Sequence, residues 1–466
     1  MAYSTHCHSI IRKKFLKPLF EFFESAKHHR NCPVIDDALW LEAGVRRCLG
    51  IFQSGRDFLQ QLADQHHAEI PLSTFFESLK SKRRLNLLSE ILTLSRGQMR
   101  RDMPDPFAVY QCLDDFDLHA GDGHFIAAAS HDKAVVRTKP KSKPKAKSKT
   151  KAKSKEKQSK TKEATASTRT STTKYATGHL YTLDLRSHAM NHLTVADQIE
   201  RNKEHEMRAL KRQTADTLRQ GAGKGRKVLY IWDRAGIDFQ QWYQWKHRSG
   251  IYFLSRQKEN MKPEVVGQHA FDPELAINAG VLADELLATS QGVSVRRVSY
   301  QDPKTEIVYH YLTNLPLSIA PGLIALLYKS RWDIEKVFDE FKNKLCETKS
   351  WASSATAKIQ QAKLLCLTHN LTTLMEQEIS KTHGIRNEAE YRRKAKRANE
   401  KSNEGISEGV SEKSQINSPP RSIVKHATER LTQRTVKFIR WLKNHLDLER
   451  DWEQAIARLA KIYQHS

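Results

Sequence analysis

The sequence of residues 328–342 most constrains the fold, because it combines an apolar pattern with charges at helical spacing. It reads Tyr-Lys-Ser-Arg-Trp-Asp-Ile-Glu-Lys-Val-Phe-Asp-Glu-Phe-Lys. At about 100° per residue, an α-helix places Tyr328, Arg331, Glu335 and Lys342 within roughly 60° of arc. The stripe beside them is apolar and consists of Ile334, Val337, Phe338, Phe341 and Leu345. This pattern predicts a helix that packs through the apolar stripe and presents Glu335 between two cations, and an amphipathic helix with ordinary i,i+4 salt pairs is the alternative.

Two upstream stretches each place an aspartate beside an apolar run. Residues 228–233 read Val-Leu-Tyr-Ile-Trp-Asp and precede the turn signal Arg-Ala-Gly, which predicts a buried strand that ends at Asp233. Residues 116–124 alternate apolar and other side chains, which predicts a strand that ends in Asp122-Gly-His. Each aspartate alone is more typical of a turn. Together with a helical glutamate, they supply the oxygen ligands that a two-metal phosphodiester site requires.

These residues resemble the motifs of a known family. The spacing Tyr-x2-Arg-x3-Glu-x6-Lys looks like the signature of bacterial insertion-sequence transposases of the DDE class, in the branch called insertion-sequence four. Asp122-Gly-His124 resembles the first acidic motif, where Thr or Ser usually follows Asp-Gly, and Asp233-Arg-Ala-Gly resembles the second. The resemblance covers roughly residues 105–375. It implies an RNase H-like fold, two Mg²⁺ ions and DNA strand transfer.

The resemblance also assigns a role to each signature residue. Asp122, Asp233 and Glu335 would be the catalytic carboxylates and would hold two Mg²⁺ ions about 4 Å apart, with Mn²⁺ as a substitute. One ion would activate water, or later the freed 3′-OH, and the other would stabilise the leaving oxygen. The side chains that would bind DNA phosphates are Tyr328, Arg331 and Lys342. Carboxylates that compete for places in the triad are Asp115, Asp117 and Asp339.

The charge of the chain favours a polyanionic partner. Its 466 residues carry 78 Lys and Arg against 53 Asp and Glu, a net charge of +25, which favours nucleic acid or an anionic membrane. No apolar run has the length of a transmembrane helix, and the start lacks a secretory apolar segment. The six cysteines include no Cys-x2-Cys pair, so neither a disulfide framework nor a structural zinc site is expected. We expect a cytoplasmic, nucleoid-associated protein that binds double-stranded DNA, both transposon ends and target, as a homodimer and without a membrane partner.

Residues 1–104 are predicted to form a helical DNA-binding domain. A helix from residue 58, a break at residues 66–71 and a second helix capped by Ser73 or Thr74 match a helix-turn-helix, and a plain bundle with a solvated basic face is the alternative. The second helix would direct its cations outward. Those proposed for recognition of the transposon ends are Lys80, Lys82, Arg83 and Arg84.

The remaining pattern predicts an α/β chain, and the resemblance implies an RNase H-like core that a β-rich insertion interrupts. The predicted segments, in order, are helical 1–104, core 105–236, insertion 237–320, core 321–380, disordered linker 381–426 and helical 427–466. Further predicted strands are at 125–130, 175–185, 251–254, 293–298 and 306–312, with a charged helix at 196–217 and an amphipathic helix at 357–378. The resemblance also implies that, in relatives with a DNA hairpin intermediate, an aromatic of this region can stack a flipped base. The candidates by residue type, with core packing as the alternative, are Trp242, Trp245, Tyr309 and Tyr311.

A Lys-rich loop at residues 137–174 is predicted to be disordered. Residues 139–162 alone contain 12 lysines, and such a segment cannot bury apolar area. It would serve as a non-specific phosphate-binding tether, and a solvated charge run is the alternative.

We therefore expect a transposase that binds transposon ends, cleaves them by two-metal hydrolysis and joins the 3′-OH to target DNA. An RNase H-like nuclease without strand transfer would use the same triad. A catalytically silent DNA-binding protein would rely on the lysine run, but the presence of all three carboxylates argues against it.

Overall fold

The computed structural model describes most of the chain outside two long polar segments. The described residues are 9–30, 35–50, 52, 54–66, 69–129, 136–137, 174–196, 206–303, 305–345, 347–385 and 437–464. The predicted Lys-rich loop and the predicted linker therefore lie almost entirely outside the described residues. No helix in the described ranges is long and apolar enough to cross a membrane.

A mixed β-sheet forms the middle of the molecule. Its strands are β1 (Phe116–Ala127), β2 (Val136–Arg137), β3 (Lys174–Asp184), β4 (Met190–Ala196), β5 (Lys227–Ile231), β6 (Ile251–Arg256), β7 (Glu264–Gln268), β8 (Val281–Ala288), β9 (Ser294–Gln301) and β10 (Val308–Thr313). Nine strands run in the order β4-β3-β1-β5-β6-β10-β9-β8-β7, and the short β2 pairs with the start of β3. β5 is parallel to β1 and to β6, and the other described pairs are antiparallel.

Helices precede, interrupt and follow the sheet. They are α1 (Ile10–Ser25), α2 (Asp37–Leu49), α3 (Gly55–His66), α4 (Leu72–Ser78), α5 (Lys82–Asp102), α6 (Glu206–Lys211), α7 (Ala215–Leu218), α8 (Phe239–Ser249), α9 (Pro321–Ser330), α10 (Trp332–Asn343), α11 (Ala355–His383), α12 (437–445) and α13 (Trp452–Gln464). The expected α/β class is therefore confirmed, with helical regions at both ends of the described chain.

One apolar core joins the two helical regions to the sheet. Its buried side chains include Trp40 of α2, Leu118 of β1, Leu367 of α11 and Trp441 of α12. Ser354 immediately precedes α11, and its hydroxyl caps the first turn. The helix packs against α1, α2, α5 and β4. The C-terminal helices also contact α11 and its end, through hydrogen bonds from α13. The N-terminal and C-terminal helices thus pack on the helix that covers the sheet.

β1 does not end at the Asp-Gly-His sequence. Its pairing with β3 continues without a break from residue 119 to residue 127, so the expected separate strand at 125–130 is wrong. Gly121, which looks like a turn signal, is needed for close packing instead. The Trp232 ring lies 2.7 Å from the position that a Cβ of Gly121 would take. Asp122 therefore projects from within a continuous strand.

The predicted helix over residues 328–342 is divided at Arg331. α9 ends at Ser330 and α10 begins at Trp332. The chain tightens there, because Arg331 N donates to Tyr328 O and Ile334 N donates to Arg331 O, both at 3.2 Å and both at three-residue spacing. The apolar stripe of α10 is buried as expected, with Ile334 inaccessible to solvent.

The predicted strands at 251–254, 293–298 and 306–312 correspond to β6, β9 and β10, while β4, β7 and β8 were not predicted. The charged helix expected at 196–217 is wrong as one element, since β4 ends at Ala196 and the described remainder contains the short α6 and α7. Residues 237–320 supply α8 and extend the same sheet through β6 to β10.

The helix boundaries near residue 80 also differ from the prediction. α4 follows Pro71 and has no side-chain cap, whereas Ser81 caps α5 by accepting a hydrogen bond from Arg84 N. The expected caps Ser73 and Thr74 are therefore wrong, because both lie inside α4. Lys82, Arg83 and Arg84 belong to the first turn of α5, and Lys80 lies between α4 and α5.

Candidate active site

Two adjacent parallel strands bring two aspartates side by side. β1 and β5 are in register at Ala120 and Ile231, so Asp122 and Asp233, two residues further on, lie at matching positions. Asp233 follows the last residues of β5, and its side chain accepts a hydrogen bond from Ala235 N at 2.7 Å. Its backbone carbonyl accepts one from the Ser255 hydroxyl at 2.7 Å. The turn after β5 is therefore fixed from both sides.

Arg331 connects Asp122 with Glu335. Its Nη1 lies 3.0 Å from Asp122 Oδ2, and its Nη2 lies 2.8 Å from Glu335 Oε1. The Arg331 side chain is only 6% exposed, whereas those of Asp122 and Glu335 are 18% and 35% exposed. One buried guanidinium thus holds a carboxylate of the sheet and a carboxylate of α10 at the edge of solvent.

The site has a crowded charge distribution. Burial raises the pKa of Asp122, and the nearby negative charges of Asp233 and Glu335 raise it further, against the lowering effect of Arg331. Burial alone would lower the pKa of Arg331, but Tyr328, Asp122 and Glu335 raise it. Asp233 and Glu335 are therefore close enough to Asp122 to affect it, and a cation is already part of the arrangement.

The donors suit a hard divalent cation by type, although their present positions do not form a closed cage. Among the described residues, no group of three His, Cys, Asp or Glu side chains could hold a metal ion as arranged. The reason is visible at Arg331, whose guanidinium occupies the space between Asp122 and Glu335. Carboxylate oxygens are nevertheless the ligands that Mg²⁺ prefers.

The other predicted phosphate-binding residues lie at different depths. Tyr328 is buried, with 8% of its surface exposed, and burial raises the pKa of its hydroxyl. Its ring centroid is 5.7 Å from the Arg331 guanidinium. Lys342 is exposed in the last turn of α10. Trp332, which the prediction did not single out, is 55% exposed beside Arg331. The three predicted residues therefore do not form one continuous stripe.

Buried polar residues behind the site were also missed. His124 Nε2 lies 3.4 Å from Glu347 Oε2, and the Tyr181 hydroxyl donates to Glu347 Oε1 at 3.3 Å. The His124 ring stacks on Phe338 with 4.9 Å between centroids, so this cluster ties β1 to α10. Glu347 follows a helix without any periodic signal, and only its three-dimensional contacts reveal it.

The aromatic candidates divide into two groups. Trp242 and Trp245 are buried at 1% and 8% exposure in the core on the opposite face of the sheet, so they pack as the alternative interpretation expected. Tyr311 contacts Tyr328 at 4.9 Å between centroids, and Tyr309 lies 6.3 Å from Tyr311. These tyrosines form a row that leads outward from the site.

The cations proposed for end recognition do not share one environment. Lys80 and Lys82 are exposed, and Lys80 pairs with Glu77. Arg84 is buried at 4% exposure and donates to Asp37 at 2.9 Å, and Arg83 also donates to Asp37. The expected outward direction of Arg84 is wrong, because Asp37 is fully buried and needs cationic partners.

Comparison with known proteins agrees with this arrangement. Residues 122–371, more than half of the chain, match the family described as the transposase DDE domain. A search of curated proteins found no match. The chain belongs to the transposase DDE domain family, whose members are metal-dependent DNA-processing enzymes that generally use divalent ions. The enzyme class expected from the sequence is confirmed, while the insertion-sequence-four branch stays a prediction.

Proposed function

We propose that the protein is an insertion-sequence-four transposase that binds the ends of its element, cleaves them and joins the 3′-OH to target DNA. The observation that carries this proposal is the bridge from Asp122 through Arg331 to Glu335, beside Asp233. The bridge joins a carboxylate of β1 to a carboxylate of α10, and Asp233 follows the adjacent strand β5, which supports their proposed role as a triad. An RNase H-like core is supported by strands β4-β3-β1-β5-β6, in which antiparallel strands precede two parallel ones. Residues 237–320 remain the proposed β-rich insertion.

Asp122, Asp233 and Glu335 would hold two Mg²⁺ ions, or Mn²⁺ in their place. When bound, these ions activate the attacking oxygen and stabilise the leaving oxygen of an in-line displacement. The residues fit because their three carboxylates carry hard oxygen donors, and because burial and, to a lesser extent, the crowding of the other two carboxylates raise the pKa of Asp122. A nearby positive charge already offsets that crowding, which indicates that the site is built around cations.

Arg331 would act as the phosphate ligand of the site. Two divalent ions carry four positive charges against three carboxylates, so the loaded site no longer needs the guanidinium to balance Asp122 and Glu335. The planar fork of Arg331 would then be available for two oxygens of the scissile strand. The Tyr328 ring, which the guanidinium lies over, would orient this fork. The exposed Lys342 would add a point charge further along α10.

Recognition of the transposon ends would use the exposed Lys80 and Lys82 of the N-terminal helices. Arg83 and Arg84 would instead support the fold there, since both pair with Asp37. We propose a homodimer on DNA, with one end bound by each copy. The net charge of +25 supports a partner as anionic as double-stranded DNA.

The direct test uses DNA that carries the repeats flanking the gene. The duplex is incubated with the protein and Mg²⁺ beside a target plasmid, and cut ends and joined products are mapped by sequencing. We expect cuts at the repeat ends and their 3′-OH groups joined to the plasmid. Cuts without joined products would favour the nuclease alternative, and binding without cuts would favour the catalytically silent alternative. Asp233→Ala provides the control without metal-dependent cleavage.

A further inference from the structure

A groove of about 510 Å³ lies where the N-terminal helices meet the segment between α10 and α11. Its walls include Arg47, Ser54, Phe76, Thr348, Lys349 and Trp351. The segment is held on one side by β1, since Ser350 N donates to Ala127 O at 2.8 Å. On the other side Gln361 of α11 accepts from Trp351 N at 2.7 Å and donates to Lys349 O at 3.0 Å. The groove is therefore preformed.

Arg47 is a cation in an aromatic surrounding. Its guanidinium lies 4.3 Å from the ring centroid of Trp351, and it lies 5.5 to 5.6 Å from those of Phe58, Phe75 and Phe76. Its Nη1 is buried and has no hydrogen-bond partner in the described part of the chain. Burial lowers the pKa of Arg47 to about 10, which leaves it charged at neutral pH.

Comparison with the neighbouring Arg46 shows that the environment of Arg47 is unusual. Arg46, on the same helix, pairs with Glu42 at 3.2 Å and with Asp447, just after α12. Arg12 likewise pairs with Glu42, and Arg296 pairs with Asp284. Arg47 has no such ion pair with any carboxylate of the described residues. Aromatic faces offset part of the desolvation of a cation, but they leave its N–H donors unsatisfied.

The surroundings of the groove suit an oxyanion. Thr348 and Lys349 are exposed at its rim, and the α11 N-terminus follows directly at Ser354. Both the ammonium group and the positive end of the helix dipole favour a negative ligand. The groove also lies beyond the end of β1, and Ala129 is part of its lining.

The groove is close enough to the proposed catalytic carboxylates for one DNA duplex to contact both. Seven residues separate Asp122 from Ala129, and extended chain rises about 3.3 Å per residue, which gives at most about 23 Å. DNA rises about 3.4 Å per base pair. A duplex cut at Asp122 would therefore reach the groove within about seven base pairs.

We propose that the Arg47 groove binds a backbone phosphate of the DNA substrate, within about seven base pairs of the scissile phosphate. This inference rests on the proposed function and adds a second phosphate site that contains none of its catalytic residues. Arg47 supplies charge-assisted N–H donors from the aromatic floor, and Lys349 supplies a point charge at the rim. The contact reads no base sequence and fixes the register of the duplex.

The test combines affinity with phosphate interference. The intact protein is bound to the end duplex over a salt series, and each phosphate is ethylated in turn to find those that matter. Arg47→Gln should weaken binding about tenfold and should reduce the slope of log K against log salt by about one. It should also abolish interference at one or two phosphates within about seven base pairs of the cut.

Arg101→Gln is the matched control, because it removes the same charge from an exposed position on α5. Its affinity should change by less than about twofold. Equal losses in Arg47→Gln and Arg101→Gln would attribute the effect to net charge and overturn the groove. A wild-type protein that neither binds nor cuts the end duplex would instead overturn the proposed function.

Arg47→Met separates binding from folding. If the cation serves DNA, this variant should keep or raise the thermal midpoint while it loses the same phosphate contacts as Arg47→Gln. A lowered midpoint together with an unchanged interference pattern would make Arg47 a structural residue and would overturn the proposal.

Discussion

Two arginines near β1 have opposite surroundings. Arg331 lies over Asp122 and holds two carboxylates, whereas Arg47 lies beyond the end of the strand among four aromatic rings and no described carboxylate bonds to it. The first region pairs its cation with its own anions. In the second, Nη1 of the cation has no hydrogen-bond partner in the described chain, and we propose that DNA supplies the anion. The same side chain type thus stands in the proposed metal site in one place and in the proposed phosphate groove in the other.

The sharpest test of the first region removes its anions. Asp122→Ala, Asp233→Ala and Glu335→Ala should each reduce cleavage of end DNA below detection, because each removes a ligand of the proposed metal pair. Binding of end DNA should stay within about threefold of wild type, since the proposed contacts at Arg47 and the N-terminal helices are intact. Single-turnover cleavage and a filter-binding assay measure the two quantities. Normal cleavage by one variant would remove that residue from the triad.

Removing Arg331, the cation of the first region, should reduce cleavage less than removing a carboxylate does. It should also change how the stability of the protein responds to Mg²⁺. Arg331→Ala leaves Asp122 and Glu335 without their shared partner, so without Mg²⁺ it should lower the free energy of unfolding by about 2 kcal/mol. Mg²⁺ should then raise its thermal midpoint more than that of wild type. Cleavage should remain slow at every Mg²⁺ concentration, because the phosphate ligand is absent.

Arg331→Lys and Lys342→Ala complete this comparison. Arg331→Lys keeps the charge but loses the planar fork, so it should still impair cleavage. Lys342→Ala should cleave slowly and should keep the wild-type shift of the thermal midpoint with Mg²⁺. Full recovery of cleavage at high Mg²⁺ in the Arg331 and Lys342 variants would mean that these cations only tune the metal site.

Arg46 and Arg47, adjacent on α2, test whether a paired cation contributes more to the stability of the protein than an unpaired one. Arg46→Met leaves Glu42 buried beside only Arg12 and breaks the pair with Asp447, so it should lower the free energy of unfolding by about 2 to 3 kcal/mol. Arg47→Met breaks no ion pair and should change it by less than about 1 kcal/mol. Urea unfolding of the two variants measures both values. Equal losses would show that Arg47 is as well satisfied as Arg46.

His369 is an intermediate case, because it is a buried titratable side chain that contacts one carboxylate. Burial would lower its pKa, but Glu340 at 2.8 Å and the carbonyl of His188 at 3.2 Å outweigh burial and raise it. A raised folded pKa adds stability below the unfolded value of about 6.5, and this stability is lost as the pH rises through the folded value. His369→Gln should therefore cost about 1 to 2 kcal/mol at pH 6 and less at pH 9. An equal cost at both pH values, measured by urea unfolding, would contradict a protonated His369.

The spacing of residues along the chain was enough to predict two local features of the candidate site. Asp233 at the end of an apolar run and the apolar stripe of α10 are local patterns, and the structure places both as expected. The continuation of β1 could not be predicted from the local sequence. Glycine is needed at position 121 because the Trp232 ring packs against it, and Trp232 is more than 100 residues away in sequence. Arg84 was misjudged for a similar reason, since its partner Asp37 lies on another helix.

The Arg47 groove was beyond sequence reasoning. Its aromatic floor comes from α3, α4 and Trp351, which no periodicity connects. The division of the helix at Arg331 is equally hidden, because the sequence around it has unbroken helical character.

The packing of the N-terminal helices on α11 has a consequence for synthesis on the ribosome. Roughly 250 residues of chain separate the end of α5 from the start of α11. At about 5 to 20 residues per second, translation reaches the start of α11 some 12 to 50 seconds after α5 has been made. During that interval the nascent helices have no partner for the faces that α11 later covers. Their apolar side chains then depend on one another, or on a chaperone, until the last part of the catalytic domain has been made.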